Sequence, residues 1–255
     1  MCLRECIDGA LVEKEGRIVP GEGHCMACGH CLAVCPVRAV SLSPEALSRG
    51  HREDDILEYD PEQFGLDPER LLKAVKFGRS IRHYLPQPVE EEKILQIIEA
   101  GRYTATAANF QDVSYIVLRD KLPQAQKAAM RKFRFLAGLA AKVGRVVPLP
   151  IDADKWSRFP DDFLFHGAPV AILTVSRNPI DASLVAANMK LQAEALGLGV
   201  LHCGFFAGLA SFSPELKRII GLPRWQKVIN CLCIGYPAVR FHRTVTRNPA
   251  RIIWS

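Results

Sequence analysis

The stretch GRSIRHYLPQPVEEEKILQIIEAGRY, residues 78–103, sets a cluster of basic and hydroxyl side chains directly ahead of a helix. Arg79, Ser80 and Arg82 place two guanidinium forks and a hydroxyl within four residues. Arginine offers paired donors that match phosphate oxygens, so this is a candidate phosphate clamp. A basic surface turn is the other explanation of such a string, and these residues alone leave both open. Pro88 then opens a helix in which Ile94, Leu95, Ile97 and Ile98 form an apolar stripe up to Gly101.

Working outward, Asp67-Pro68 reads as a helix start, with the Asp side chain capping and Pro in the first turn, and the helix stops at Gly78. Val113–Leu118 alternates like a strand. Leu122 to Val143 is helical apart from Pro123 near its start. Pro169–Val175 is a continuous apolar run, as in a buried strand. Ile180–Leu196 is a helix ended by Gly197, Ser213-Pro214-Glu215 starts another, and Val228–Ile234 is a central strand. Helices around a sheet give an α+β or mixed α/β class. Residues 43–66 are polar and punctuated by proline, which reads as a linker. The expected organisation is a small N-terminal domain over 1–42, the linker 43–66, and a larger domain over 67–255.

The net charge of +6 is spread along the chain. A nucleic-acid surface would cluster its Lys and Arg among aromatics, so no nucleic-acid partner is expected. The KAAMRKFR stretch, residues 127–134, spaces its charges like the wet face of a helix. No run reaches the ~20 apolar residues that span a bilayer. Arg4, Glu5, Asp8 and Glu13 interrupt the N-terminus where a signal peptide would be apolar. The expectation is a cytoplasmic protein with no membrane association. Nine cysteines without an export signal then favour metal or redox use over disulfides, and six of them fall within the first 35 residues.

Cys25-Met-Ala-Cys28-Gly-His-Cys31-Leu-Ala-Val-Cys35-Pro36 has the spacing C-x-x-C-x-x-C-x-x-x-C-P. Three thiolates at steps of three wrap one [4Fe–4S] cubane, and the fourth, before proline, faces a different cluster. Soft sulfur ligands suit iron–sulfur chemistry. Zinc held by two of these cysteines with His24 or His30 is the alternative, although zinc sites generally separate their ligand pairs by a longer loop. The segment Cys2–Ala10 aligns with Cys31–Ala39 at an offset of 29, matching Cys, Leu, Cys and Ala. Cys2 and Cys6 then read as the last two cysteines of an earlier motif. Its first two members would precede Met1, so either the chain starts late or that site has decayed.

Residues 2–42 therefore resemble a bacterial-type two-cluster ferredoxin that lacks its first few residues. In that family each cluster takes three cysteines from one motif and one from the other. The resemblance implies one complete cluster on Cys6, Cys25, Cys28 and Cys31. Cys2 and Cys35 remain as half of a second, which is complete only if upstream cysteines exist.

The order R-S-I-R, then P-V-E-E-E-K-I-L-Q-I-I-E-A-G-R-Y, then N-F-Q resembles the opening of the FMN-dependent nitroreductase family. Gly167-Ala-Pro169, Asp181–Met189, Gly197-Leu-Gly199 with Gly204, Gly235-Tyr-Pro237 and Arg247-Asn-Pro249 continue the likeness over about residues 68–255. It implies an α+β fold, a nitroreductase-like α/β sandwich with a central mixed sheet flanked by helices, assembled as a homodimer with FMN at the subunit interface. By this resemblance Arg79, Ser80 and Arg82 grip the FMN phosphate, and Arg247 returns to it. Asn109 and Gln111 bond the flavin's polar edge or ribityl chain, while Leu201, His202, Cys203 and Gly204 lie against the isoalloxazine. Many members carry Arg where this chain has Gly78. Ala105-Thr106 and Asp112-Val113 replace family residues around the Asn segment.

The expected function is an FMN oxidoreductase that reduces an electron-poor small molecule such as a nitroaromatic or quinone. Its electrons would pass through the cluster domain from a ferredoxin or NAD(P)H. The same fold could serve dehalogenation or flavin modification, and a non-enzymatic electron carrier or redox sensor is the alternative of another class. Cys231 and Cys233 alternate within a strand pattern and read as structural. Cys203 is open between a buried bystander and a redox role.

Overall fold

The computed structural model describes residues 1–41, 56–144 and 159–255. The chain divides into two compact units, one formed by Met1–Leu66 with Ala105–Gln111, the other by Asp67–Thr104 with Asp112–Ser255. Residues 43–55 of the expected linker lie outside the described residues.

The first unit is built from short pieces. Helix α1 (Cys2–Glu5) is followed by the antiparallel hairpin β1 (Leu11–Lys14) and β2 (Arg17–Pro20). Its two-residue turn, Glu15-Gly16, has positive φ at both positions (52° and 75°), the geometry that matches the twist of a tight hairpin. Helix α2 (His30–Ala33) packs against α1. Both are single turns at equivalent places of the repeated Cys-x-x-x-Cys pieces, which is the structural counterpart of the offset of 29. Helix α3 (Pro61–Phe64) is capped by Asp60, whose carboxylate accepts from the Glu62 N–H at 2.9 Å.

The second unit begins with α4 (Pro68–Phe77), where the Asp67 carboxylate accepts from the Arg70 N–H at 2.6 Å. Helix α5 runs Glu91–Arg102 rather than starting at Pro88. Val89 stays extended because its side chain is buried and its carbonyl accepts from Arg119 at 2.7 Å. Then come β3 (Ser114–Leu118), α6 (Leu122–Gly144), β4 (Val170–Val175), α7 (Pro179–Ala195), β5 (Gly199–His202), α8 (Gly204–Phe212), α9 (Pro214–Ile220) and β6 (Val228–Gly235).

The sheet order is β3-β4-β6-β5, and each neighbouring pair is antiparallel. The expected mixed sheet is corrected to this extent: the parallel component among the described residues is a single bridge, Ser80 to Val200, at the β5 edge. Strand β4 is buried along its whole length because both faces are covered. Val170 and Ile172 pack with Ile97, Val185 and Met189 on the α5–α7 side. Ala171, Leu173 and Val175 pack with Phe165, Phe206 and Leu216 on the α6–α8–α9 side. In α6, Ala128, Ala129, Met130 and Phe133 are buried while Lys127 and Arg131 stand in solvent, the wet-face pattern of the 127–134 stretch. Among the described residues no helix is long and apolar enough to cross a membrane.

Candidate functional site

The basic segment lies along the free edge of β5. The Ile81 N–H donates to the Val200 carbonyl at 3.0 Å, beside the parallel bridge from Ser80 to Val200. Further on, the Leu85 N–H donates to the Tyr236 carbonyl at 2.8 Å and the Ala238 N–H to His83 at 2.9 Å. Residues 80–85 are thereby sewn to β5 and to the end of β6. The approach is close because Gly199 has no side chain: a Cβ there would stand 2.6 Å from Ile81 Cγ1. The bridge brings together Arg79-Ser80-Ile81-Arg82 and Leu201-His202-Cys203-Gly204, two segments more than a hundred residues apart in sequence.

Arg79 carries the most informative atoms of the unit. Its Nη1 donates to the carbonyls of Lys76 (2.9 Å) and Gly78 (2.6 Å), which holds the guanidinium over the end of α4. Its Nε and Nη2 are buried and have no partner among the described residues. Buried donors are nearly always paired, and leaving one unpaired costs about 1–3 kcal/mol. Nε and Nη2 form one edge of the guanidinium, the edge that engages a phosphate through two parallel bonds. The side chains present therefore fit a phosphate group at this edge. Ser80 and Arg82 are exposed nearby in sequence, and Arg247 lies exposed in the C-terminal segment, which has no regular structure.

A residue that the sequence reading missed stands next to this point. A Cβ at Gly78 would lie 2.9 Å from Lys190 Nζ, and Lys190 pairs with Glu194 at 2.7 Å. The position where many family members carry Arg is thus flanked by the Lys190–Glu194 ion pair of α7, with the two Glu194 carboxylate oxygens 3.3 and 3.4 Å from the same point. The Lys190/Glu194 spacing is visible in sequence as an i,i+4 pair, but its neighbour Gly78 is not. Burial, followed by the Lys190 charge, lowers the pKa of His202 and keeps its imidazole neutral. An apolar groove of about 690 Å³ runs beside His202, lined by Phe133, Leu136, Ala137, Gly204, Phe205 and Leu209 among others.

Asn109 and Gln111 belong to the first unit. Asn109 Nδ2 donates to the carbonyls of Met26 (3.2 Å) and Ala27 (3.0 Å), inside the cysteine motif. Gln111 Nε2 donates to Asn109 Oδ1 at 3.0 Å, and the Gln111 N–H to Thr106 Oγ1 at 2.9 Å. Ala27, Ala108, Asn109 and Gln111 all hold positive φ (45–53°), a conformation that costs a non-glycine residue about 1–3 kcal/mol and survives where contacts over-determine it. Asn109→Ala removes both bonds to the cysteine loop and the one accepted from Gln111, worth roughly 0.5–1.5 kcal/mol each. Amide exchange over residues 26–28 is expected to quicken by about tenfold, and unchanged protection would show that the contact does not hold the loop.

Among the cysteines of that unit, burial raises the pKa of Cys31, with the neighbouring Cys28 and Cys25 charges adding to it. Cys35 is shifted the other way by backbone N–H groups, those of Ala39 and Val37 first, and its Sγ accepts from the Ala39 N–H at 3.2 Å. Among the described residues no three His, Cys, Asp or Glu side chains converge on a single metal ion. A cubane does not require that convergence, since each of its irons takes its own thiolate. The donor set of Cys25, Cys28 and Cys31 is compatible with one in chemistry.

Comparison with known proteins bears on the second unit. The nitroreductase family model matches residues 75–236. An NADPH-flavin oxidoreductase of Vibrio harveyi is 23% identical over 166 residues, which cover 65% of this chain and 65% of that protein. A nitroreductase with bound FMN from Bacteroides fragilis superposes with a TM-score of 0.58 at 18% identity, over 72% of this chain and 98% of that one. Iodotyrosine deiodinase bound to FMN and 3-iodo-L-tyrosine superposes with a TM-score of 0.55 at 16% identity, over 72% and 98%. At these identities the structures establish a common fold. The family match takes in the basic segment, the β5–α8 junction and all four strands of the sheet, and the chain belongs to the nitroreductase family.

Proposed function

We propose that the protein is an FMN-dependent oxidoreductase that reduces an electron-poor small molecule such as a nitroaromatic or quinone. The unpaired, buried guanidinium edge of Arg79, fixed beside the end of β5, carries this reading. Arg79 would hold the phosphate through its unpartnered edge, with Ser80, Arg82 and Arg247 as the further residues proposed to surround the anion. The strand bridge at Val200 fixes the distance from this anion to Leu201–Gly204. The aromatic and aliphatic walls of the groove would suit a flat ring. His202, held neutral, adds no second cation beside the ring. When bound, FMN supplies the hydride and single-electron chemistry.

Asn109 and Gln111 keep their assignment to the flavin's polar edge or ribityl chain as part of this proposal, beside the bonds that Asn109 Nδ2 makes to the cysteine loop and Gln111 Nε2 makes to Asn109. Cys6, Cys25, Cys28 and Cys31 would hold a [4Fe–4S] cluster, with Cys2 and Cys35 the half-set of another. When bound, such a cluster supplies electrons singly. The Vibrio harveyi relative's name indicates NADPH as one electron donor to test beside reduced ferredoxin. Homodimerisation is part of the proposal, supported by apolar side chains left in solvent on α6 and α7, such as Phe135 (71% exposed) and Ile180 (69%). Reductive dehalogenation is a second reaction on the same fold, and a deiodinase shares that fold.

Anaerobic purification, identification of the released flavin by mass, and turnover of nitroaromatic, quinone and haloaromatic acceptors test the enzyme reading together. Flavin binding without turnover of any acceptor would leave only the electron-carrier reading. For the cluster, the chain is expected to hold about four irons. Cys6→Ala should lower iron and the reduced EPR signal while Cys35→Ala leaves both near wild type. The reverse pattern would replace Cys6 by Cys35 as the fourth ligand.

A further inference from the structure

Three buried thiols meet at the β5–α8 junction: Cys203, Cys231 and Cys233 are all free. The flavin proposal places the Cys203 segment beside the ring but gives none of the three thiols a chemical role. The Cys203 N–H donates to the Cys231 carbonyl at 2.8 Å. This continues the β5–β6 register, in which Leu201 faces Cys233 and His202 faces Leu232, so that Cys203 stands opposite Cys231. Residues paired across antiparallel strands have Cα atoms roughly 4.5–5.5 Å apart. That lies inside the window of about 4.4–6.8 Å in which a disulfide closes without moving the backbone. Cys233 is opposite Leu201 instead, and its thiol points to the Leu164 carbonyl at 3.9 Å.

We propose that Cys203 and Cys231 form a peroxide-responsive dithiol–disulfide pair. The Cys203 thiolate attacks one oxygen of hydrogen peroxide; the O–O bond breaks, and the departing hydroxide takes a proton and leaves as water. Cys203 is then a sulfenic acid. The Cys231 sulfur attacks the Cys203 sulfur, the S–O bond breaks, and the released hydroxide takes the Cys231 proton as a second water. Two thiols are oxidised by two electrons, and one peroxide is reduced to two waters.

The local electrostatics divide the roles in the same way. Hydrogen bonds from Cys231, then Cys233, with the Phe206 N–H in the first turn of α8, pull the Cys203 thiol down to about 4. Burial pushes the other two thiols up, so they keep their protons. His202 and Gly204, the residues on either side of Cys203, line the apolar groove, which gives a small oxidant its approach while no ring occupies it, so the peroxide exposure is made on the flavin-free and the flavin-loaded protein.

The test uses the full-length protein, exposed to hydrogen peroxide, quenched in acid, alkylated with N-ethylmaleimide and digested with trypsin without reduction. Cys203 falls in peptide 191–217, and Cys231 and Cys233 both fall in peptide 228–240. The expected product is these two peptides cross-linked, two hydrogens lighter than their sum, with one maleimide on Cys233. Cys231→Ser should lose the cross-link and accumulate a dimedone-reactive Cys203, whereas Cys233→Ser should keep the cross-link. Complete alkylation of all three thiols after peroxide, or a bond that fragmentation places on Cys233, would overturn the proposal. Because fragmentation of the wild-type peptides locates the bond, the result does not depend on either variant folding.

Discussion

Replacing Arg79 and Arg82 together by alanine is expected to weaken FMN binding by about 10²–10⁴-fold, since hydrogen bonds to a charged group are worth about 1.5–3 kcal/mol each and every 1.4 kcal/mol is tenfold. Fluorescence titration of the flavin-free protein reads this directly. The same substitutions should do little to the flavin-free fold, and the reason is a near-cancellation. The variant loses the Nη1 bonds to Lys76 and Gly78, worth roughly 0.5–1.5 kcal/mol each, but it also removes two buried donors that have no partner, each costing about 1–3 kcal/mol. Wild-type protein should therefore gain thermal stability as FMN is added, by mass action. The double variant should melt near the flavin-free wild type and ignore FMN. A variant that retains full flavin occupancy would remove Arg79 from the phosphate site.

The parts of this fold that the sequence announces are those whose cause is local. Asp67-Pro68 caps its own helix within three residues, so α4 is readable at both ends. Strand β4 is buried at all six positions, five of them apolar with Thr174 the exception, because helices cover both of its faces. The cysteine motif and its repeat are equally self-contained. Strand β5 is four residues beginning at a glycine, too short to show an alternation. Helix α8, GFFAGLASF, has two glycines and no charged side chain, so no helical period stands out. The start of α5 is not legible in sequence because a tertiary bond from Arg119 to the Val89 carbonyl holds that residue outside the helix, where Pro88 alone would permit a turn.

The site divides in the same way. The clamp residues Arg79, Ser80 and Arg82 are a visible string, but what distinguishes Arg79 from a surface arginine is which of its nitrogens find partners. That depends on α4, β5 and α7 together. Lys190 reaches Gly78 from more than a hundred residues away. Asn109 reaches the Met26 and Ala27 carbonyls across more than eighty. A family likeness points Asn109 toward the flavin, and only the folded chain shows its Nδ2 also bonded to the cysteine loop.

Gly199→Ala is expected to loosen flavin binding by more than tenfold without touching any residue that contacts the ligand. The new methyl would sit 2.6 Å from Ile81 Cγ1 and 2.9 Å from its Cβ and Cγ2. Contacts that short are not tolerated, and the atoms in the way are the branched root of a side chain rather than a flexible tip. Val200 and the rest of β5 are held by β6, so the element that yields is the 79–82 segment. Its Ile81 N–H bond to Val200 and its Ser80 bridge would open, and Arg79 would lose its set distance from Leu201–Gly204. Overpacking of this kind costs about 1–3 kcal/mol, a strain that binding would have to overcome. Ile81 is itself buried, so Ile81→Ala alone should reduce stability through its cavity. In Gly199→Ala/Ile81→Ala, however, the two changes share one space: the added methyl fills part of what the deletion empties. The double variant should recover most of the FMN affinity lost in Gly199→Ala, with a coupling of about 0.5–3 kcal/mol between neighbouring sites. Flavin titration and thermal unfolding of all four proteins measure that coupling. If the two losses simply add, the contact between Ile81 and Gly199 does not set the position of the clamp.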